Sequence, residues 1–291
     1  MADYIVTCTS TCDLGKEYLS ENDIPYACFK MIVGNDEYND DFFSDYPYEK
    51  FYEDIKGGME PTTSQVGYGQ YLGFFEPLIE KSDVIHICLS SGISGDYQTC
   101  HAVAEELNGK GGHRIKVIDS RGASAGYGML VMLAKENLDK GMSFDENAAY
   151  LEDIKLKIHH WFISTDLSSY VRGGRISKTA GFFGSALKIC PLMNMPADGT
   201  LNPLEKIRTK TRAMDAMLEK MEEYADGGLD YDGKVMMSVS MCEEDAQTLK
   251  ERILERFTKV KDVGIYRVGT TIGAHTGPGT IALYFIGKER G

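Results

Sequence analysis

The sequence predicts an α/β chain in two domains, a parallel-sheet α/β domain first and an α+β domain second. Three observations carry this. Through the first half, short apolar runs alternate with longer amphipathic segments, and glycine turns join them. That is the strand, turn, helix grammar of a parallel sheet. In the second half, strands come in two groups, each interrupted by a helix. There Asp198-Gly199 also sits between two strand-like runs, a strong hairpin signal.

The first strand is read at residues 4–8, and further strands at 83–89 and 115–118. Helical patterns occupy 97–108 and 123–140, each after a glycine turn. An amphipathic segment at 66–81 follows Pro61-Thr62-Thr63-Ser64-Gln65, where a hydroxyl is a natural helix cap. In the second half, strands are read at 161–165, 186–193, 201–208, 234–240, 263–268 and 280–286, with helices at 209–224 and 243–259. The change of rhythm places a boundary near 155–160, giving domains 1–158 and 159–291.

Composition narrows the function. The 291 residues are 43% hydrophobic and 26% charged, with a formal net charge of -13. Such a surface repels phosphate backbones and anionic membranes, so neither nucleic-acid binding nor membrane insertion is expected. No apolar run approaches the roughly 20 residues that span a bilayer. The N-terminus lacks the basic start and apolar stretch of a signal peptide, so a cytoplasmic protein is expected. Seven irregularly spaced cysteines and no CxxC point to reduced, buried thiols. No histidine spacing marks a metal site, and neither a metal nor a cofactor is expected.

Open parallel sheets bind ligands beyond the carboxyl ends of their strands. That focuses attention on 9–13, 90–97 and 119–122, all rich in Ser, Thr or Gly. The loop Ser90-Ser91-Gly92-Ile93-Ser94-Gly95 opens a helix whose first N–H groups favour an anion. It lacks the lysine of a phosphate loop, and it is not a G-x-S-x-G elbow. Arg172-Gly173-Gly174-Arg175 is a basic turn able to clamp a carboxylate or phosphate. Finally, Gly273-Ala274-His275-Thr276-Gly277-Pro278-Gly279 reads as a glycine-rich turn before a buried strand, presenting one imidazole to an anion or carbonyl. Ser94 and His275 allow an alternative, an acyl- or phosphoryl-transfer enzyme, which the missing elbow and phosphate loop argue against.

In order along the chain, Ser10-Thr11-Cys12-Asp13-Leu14, Thr62-Thr63-Ser64-Gln65, Ser91 to Gln98, Val117 to Ser120, Arg172 to Ile176, Leu187 to Pro191, Ile207-Arg208-Thr209 and Ile272 to Gly279 resemble the DegV family of bacterial fatty-acid-binding proteins. The resemblance covers essentially the whole chain. It implies a two-domain fold with a buried long-chain fatty acid. It further implies a carrier, without a catalytic nucleophile of its own, that presents the acyl carboxylate to a separate fatty acid kinase feeding phospholipid synthesis. Carried over, the carboxylate site is Thr63, Ser94 and His275, with Ser64 alongside. Arg172 lies near the head group, and Arg208 on the kinase-facing side.

The chain departs from the family at Thr9, usually Asp, at Asp96, usually Thr, and at Cys190, commonly Lys. Asp96 is expected to cap its helix. A buried tail contributes about 0.8 kcal/mol per CH₂, or about 10 kcal/mol gross for a dozen methylenes, before association costs. Phe182, Phe183, Leu187, Ile189, Met193 and Met195 are expected to line the tunnel or the adjoining core.

Overall fold

Four parallel strands form the first sheet, in the order Tyr26–Ala27, Tyr4–Thr9, Asp83–Cys88, Ile115–Asp119. The computed structural model describes residues 4–177 and 189–291. Three of these strands were expected; the two-residue strand Tyr26–Ala27 is too short to leave a pattern. The helices Asp96–Gly109 and Ser124–Asp139 follow their glycine turns as the sequence predicts.

The second sheet has six strands, in the order Asn202–Arg208, Ile189–Asn194, Ile158–Ser164, Thr280–Ile286, Val235–Val239, Val263–Arg267. Only its last pair is parallel. The first two strands form the expected hairpin around Asp198-Gly199, where Asp198 Oδ1 accepts from the Thr200 N–H at 2.9 Å. The run read at 186–193 enters the described residues at Ile189. The strand read from 161 starts earlier, at Ile158, so His159 and His160 lie inside it. Helices Lys210–Tyr224 and Glu243–Arg256 pack on the outer face.

A third sheet, Asp36–Asn39, Lys30–Val33, Thr62–Ser64, is antiparallel and was not foreseen. It corrects the reading of 61–65 as a helix start. Thr63 stands in a strand opposite Met31, and the following helix, Tyr68–Ile79, begins after Gly67.

Helix Ser124–Asp139 fills the space between the two large sheets. It is buried on nearly every side, as an all-round apolar helix must be. One continuous core runs through it, from Val6, Ile85 and Ile118 of the first sheet to Phe162, Met193 and Tyr284 of the second. Each large apolar side chain buried there contributes about 1.5–3 kcal/mol. The loops that carry the hydroxyl and imidazole groups converge at one edge of this layer.

Candidate functional site

The segment bearing His275 is not a turn but a seven-residue helix, Thr270–Thr276. Gly277, at φ 68°, ends it, a backbone angle that glycine adopts without a Cβ clash. A helix this short cannot hold itself together. Two buried acids from the N-terminal half hold its start. Asp40 Oδ1 accepts from the Thr270 N–H at 3.1 Å and from Thr270 Oγ1 at 2.8 Å, and Asp40 Oδ2 accepts from the Thr271 N–H at 3.3 Å. Asp13 Oδ1 accepts from the Gly269 N–H at 3.0 Å, while Ser124 donates to its other oxygen. Burial pushes both carboxyl groups above their ordinary range, Asp13 furthest, with the neighbouring Asp40 adding to it.

The other end of the helix carries the imidazole. His275 Nε2 lies 2.8 Å from Thr63 Oγ1, so the third sheet and the last helix bring these two residues together. His275 Nδ1 is buried without a hydrogen-bond partner among the described residues. The backbone of Gly173 passes so close that a Cβ there would lie 2.2 Å from that nitrogen, which leaves glycine as the residue that fits. Burial pushes His275 down to about 4, and the Arg175 and Arg172 charges add to the effect. The imidazole is therefore neutral near pH 7, able to donate from one nitrogen and accept at the other.

Ser94 sits on the loop before helix Asp96–Gly109, and its Oγ accepts from the Asp96 N–H at 3.2 Å. Ser64 ends the Thr62–Ser64 strand and donates to the Gln65 carbonyl at 3.3 Å. Thr63, Ser64, Ser94 and His275 all line one cavity of about 340 Å³. The two arginines of the basic turn behave differently. Arg175 lines the cavity and donates to the Ile93 carbonyl at 3.2 Å. Arg172 turns toward Ser169 and Glu60, at 3.2 and 3.6 Å. Arg208 is exposed at the end of edge strand Asn202–Arg208.

The cavity wall is largely apolar, with Phe29, Leu89, Ile93, Phe162, Met195 and Ile272, and also includes His160, Ser238 and Tyr284. Its size falls in the range of small-molecule sites, about 300–1,000 Å³. Of the expected lining, Met195 is on the wall, and Ile189 and Met193 are not part of it. Phe182, Phe183 and Leu187 lie outside the described residues. Thr271 and Thr276 also line the cavity; the Thr276 hydroxyl, like His275 Nδ1, has no partner among the described residues, whereas the Thr271 side chain bonds Asp40. Sequence reading missed Thr271, and it chose Arg172 over Arg175. The four-residue spacing of Thr271 from His275 was the available signal, hidden once the segment was read as a turn.

Asp96 departs from its expected role. It is the first residue of its helix, yet it makes no cap; its buried Oδ1 accepts from Tyr71 at 2.7 Å, away from the cavity. Burial raises its carboxyl to about 7. The loops after Asp83–Cys88 and Ile115–Asp119 also join the two large sheets. Ser90 Oγ donates to the Gly199 carbonyl at 2.8 Å and Arg121 to the Asp198 carbonyl at 2.8 Å, tying the first sheet to the hairpin of the second. All seven cysteines are free, and among the described residues no helix is long and apolar enough to cross a membrane.

A family model described as "Uncharacterised protein, DegV family" matches residues 5–288. A DegV domain-containing protein of Clostridium perfringens is 32% identical over 292 residues, covering 100% of this chain and 99% of that protein. A solved structure of DegV from Bacillus subtilis, described as a fatty acid binding protein, shares 27% identity at a TM-score of 0.84, covering 99% of this chain and 100% of that one. A DegV family protein from Thermus thermophilus, also described by its fatty acid binding, has the same fold at a TM-score of 0.87, with 24% identity over 98% of this chain and 100% of that one. With a family match across nearly its whole length, the chain belongs to the DegV family.

Proposed function

We propose that this protein binds a long-chain fatty acid, with the tail in the cavity between the sheets and the carboxylate at Thr63, Ser64, Ser94 and His275. The observation that carries the reading is a single cavity with a largely apolar wall that brings Thr63, Ser64, Ser94 and His275 together. Their hydroxyls and the imidazole can donate to a carboxylate. Fatty acid binding by the Bacillus subtilis relative supports the same ligand class.

In this reading the chain is a carrier rather than an enzyme. His275 pairs with Thr63, not with Ser94, so the two residues of the transfer-enzyme alternative are not joined as nucleophile and base. Presentation of the carboxylate to a separate fatty acid kinase completes the proposal, with Arg172 near the head group and Arg208 on the exposed partner side. The division at 158/159 belongs to it as well, since the cavity then lies between domains 1–158 and 159–291. Solvent extraction of the purified protein followed by mass spectrometry tests the ligand. Fatty acid near one equivalent per chain is expected. An empty protein that also takes up no added fatty acid would refute it.

A further inference from the structure

On the outer face of the first sheet, away from the fatty acid cavity, lies a second polar cluster. Val84, His86 and Cys88 share one face of their strand, opposite Ile85 and Ile87. Cys100, on helix Asp96–Gly109, packs over them. One imidazole nitrogen of His86 and the thiols of Cys88 and Cys100 lie within 4.8 Å of one another, and all three residues are fully buried.

The imidazole is set up as a ligand. Thr7 Oγ1 lies 2.8 Å from His86 Nδ1 and orients the ring. In the tautomer with the proton on Nδ1, Thr7 accepts it and Nε2 carries a bare lone pair. Nε2 is buried and has no partner among the described residues. Metal-bound histidines are oriented in this way, through the nitrogen that does not bind. Tyr71, Phe74 and Phe75 pack around the ring, with centroids at 5.5, 5.9 and 5.2 Å, and keep water out. Asp96 lies one turn before Cys100, outside that group of three; its Oδ1 accepts from Tyr71 at 2.7 Å, and its carboxylate is within hydrogen-bond reach of the Cys88 thiol.

We propose that His86, Cys88 and Cys100 form the core of a buried site for one zinc-class cation, which the neighbouring Asp96 carboxylate closes by moving in when the cation binds. The donor set is the one this chemistry selects: two thiolates, one neutral imidazole and one carboxylate. Two thiolates neutralise the cation inside an apolar shell, and the Tyr71 hydroxyl offsets the charge of Asp96. Binding releases both thiol protons to solvent. Tetrahedral zinc bonds of about 2.0–2.3 Å place donors about 3.5–3.8 Å apart, so the three donors draw together by up to about 1.3 Å and Asp96 by more. The site is distinct from any cofactor of the fatty acid cavity and is structural. It ties strand to helix on either side of residues 89–95, the loop that carries Ser94.

The test uses the full chain. Purified from zinc-supplemented culture, it should hold near one equivalent of zinc by plasma mass spectrometry. After metal removal, cobalt(II) should produce a near-ultraviolet thiolate-to-cobalt band. Cys88→Ala and Cys100→Ala should each lose that band, whereas Cys28→Ala keeps it. Folded wild-type protein that gives no such band overturns the proposal, whatever the variants do. So does a band of unchanged intensity in folded Cys100→Ala.

Discussion

The two ends of helix Thr270–Thr276 are built on opposite plans. At its start, the N–H groups of Gly269, Thr270 and Thr271 are taken by Asp13 and Asp40, residues that arrive from the far side of the sequence. At its finish, His275 Nδ1 and the Thr276 hydroxyl are buried and unpartnered among the described residues. Fold stability favours the first arrangement and penalises the second. The difference separates two jobs on one short element. The satisfied end is an anchor, and the other end carries His275 to the wall of the cavity.

If that division holds, the largest effect belongs to the anchor. Asp40→Ala leaves two buried N–H groups and a hydroxyl without their acceptor, and should cost about 2–4 kcal/mol in urea denaturation. Fatty acid affinity should fall with it, because the helix that carries His275 loses its hold. A variant as stable as the wild type would break the comparison.

The ends should also respond to pH with opposite sign. His275 is pushed down to about 4 from an ordinary value near 6.5. Its contribution to stability is present above 6.5 and is lost as pH falls toward 4, by at most about 3 kcal/mol. Asp40 is raised, so its contribution is present below the ordinary carboxylate value and is lost as pH rises through its folded value. Stability measured stepwise from pH 7 to 4 should therefore fall less steeply for His275→Asn than for the wild type, and more steeply for Asp40→Asn. Identical slopes in all three proteins would remove the electrostatic half of the comparison.

A smaller effect sharpens the ligand end. Thr63→Val keeps the shape of the side chain and removes the hydroxyl bonded to His275. It should weaken fatty acid binding by about 1 kcal/mol, several-fold, in a fluorescence displacement titration, with little change in melting temperature.

The anchor and the His275 end were unequally legible in the sequence. The strands of both large sheets announce themselves as apolar runs, and Thr280–Ile286 is found where it was expected. The third sheet does not, because Asp36–Asn39 has Tyr38 as its one apolar ring and Thr62–Ser64 has three residues. Helix Thr270–Thr276 reads as a turn because glycines flank and interrupt it. What makes it helical is a pair of carboxylates more than 200 positions away, at separations of 230 and 256 residues. No local pattern encodes that. Asp96 was misread for the same reason: its partner, Tyr71, lies on another helix. Thr63, Ser94 and His275 were legible as a set through motif order and resemblance, while the direction of Arg172 against Arg175 depends on where Glu60 and Ile93 stand.

The central claim is that the His275 end of the helix holds a carboxylate, and titration of palmitate and methyl palmitate against wild-type and His275→Ala protein tests it most directly. Palmitate should bind the wild type tightly, the ester at least about tenfold more weakly, and His275→Ala should lose a similar factor for palmitate alone, a difference of about 1.4 kcal/mol. Its melting temperature should stay near that of the wild type. Equal affinity of the wild type for acid and ester, or unchanged palmitate binding in a folded His275→Ala, would contradict the account.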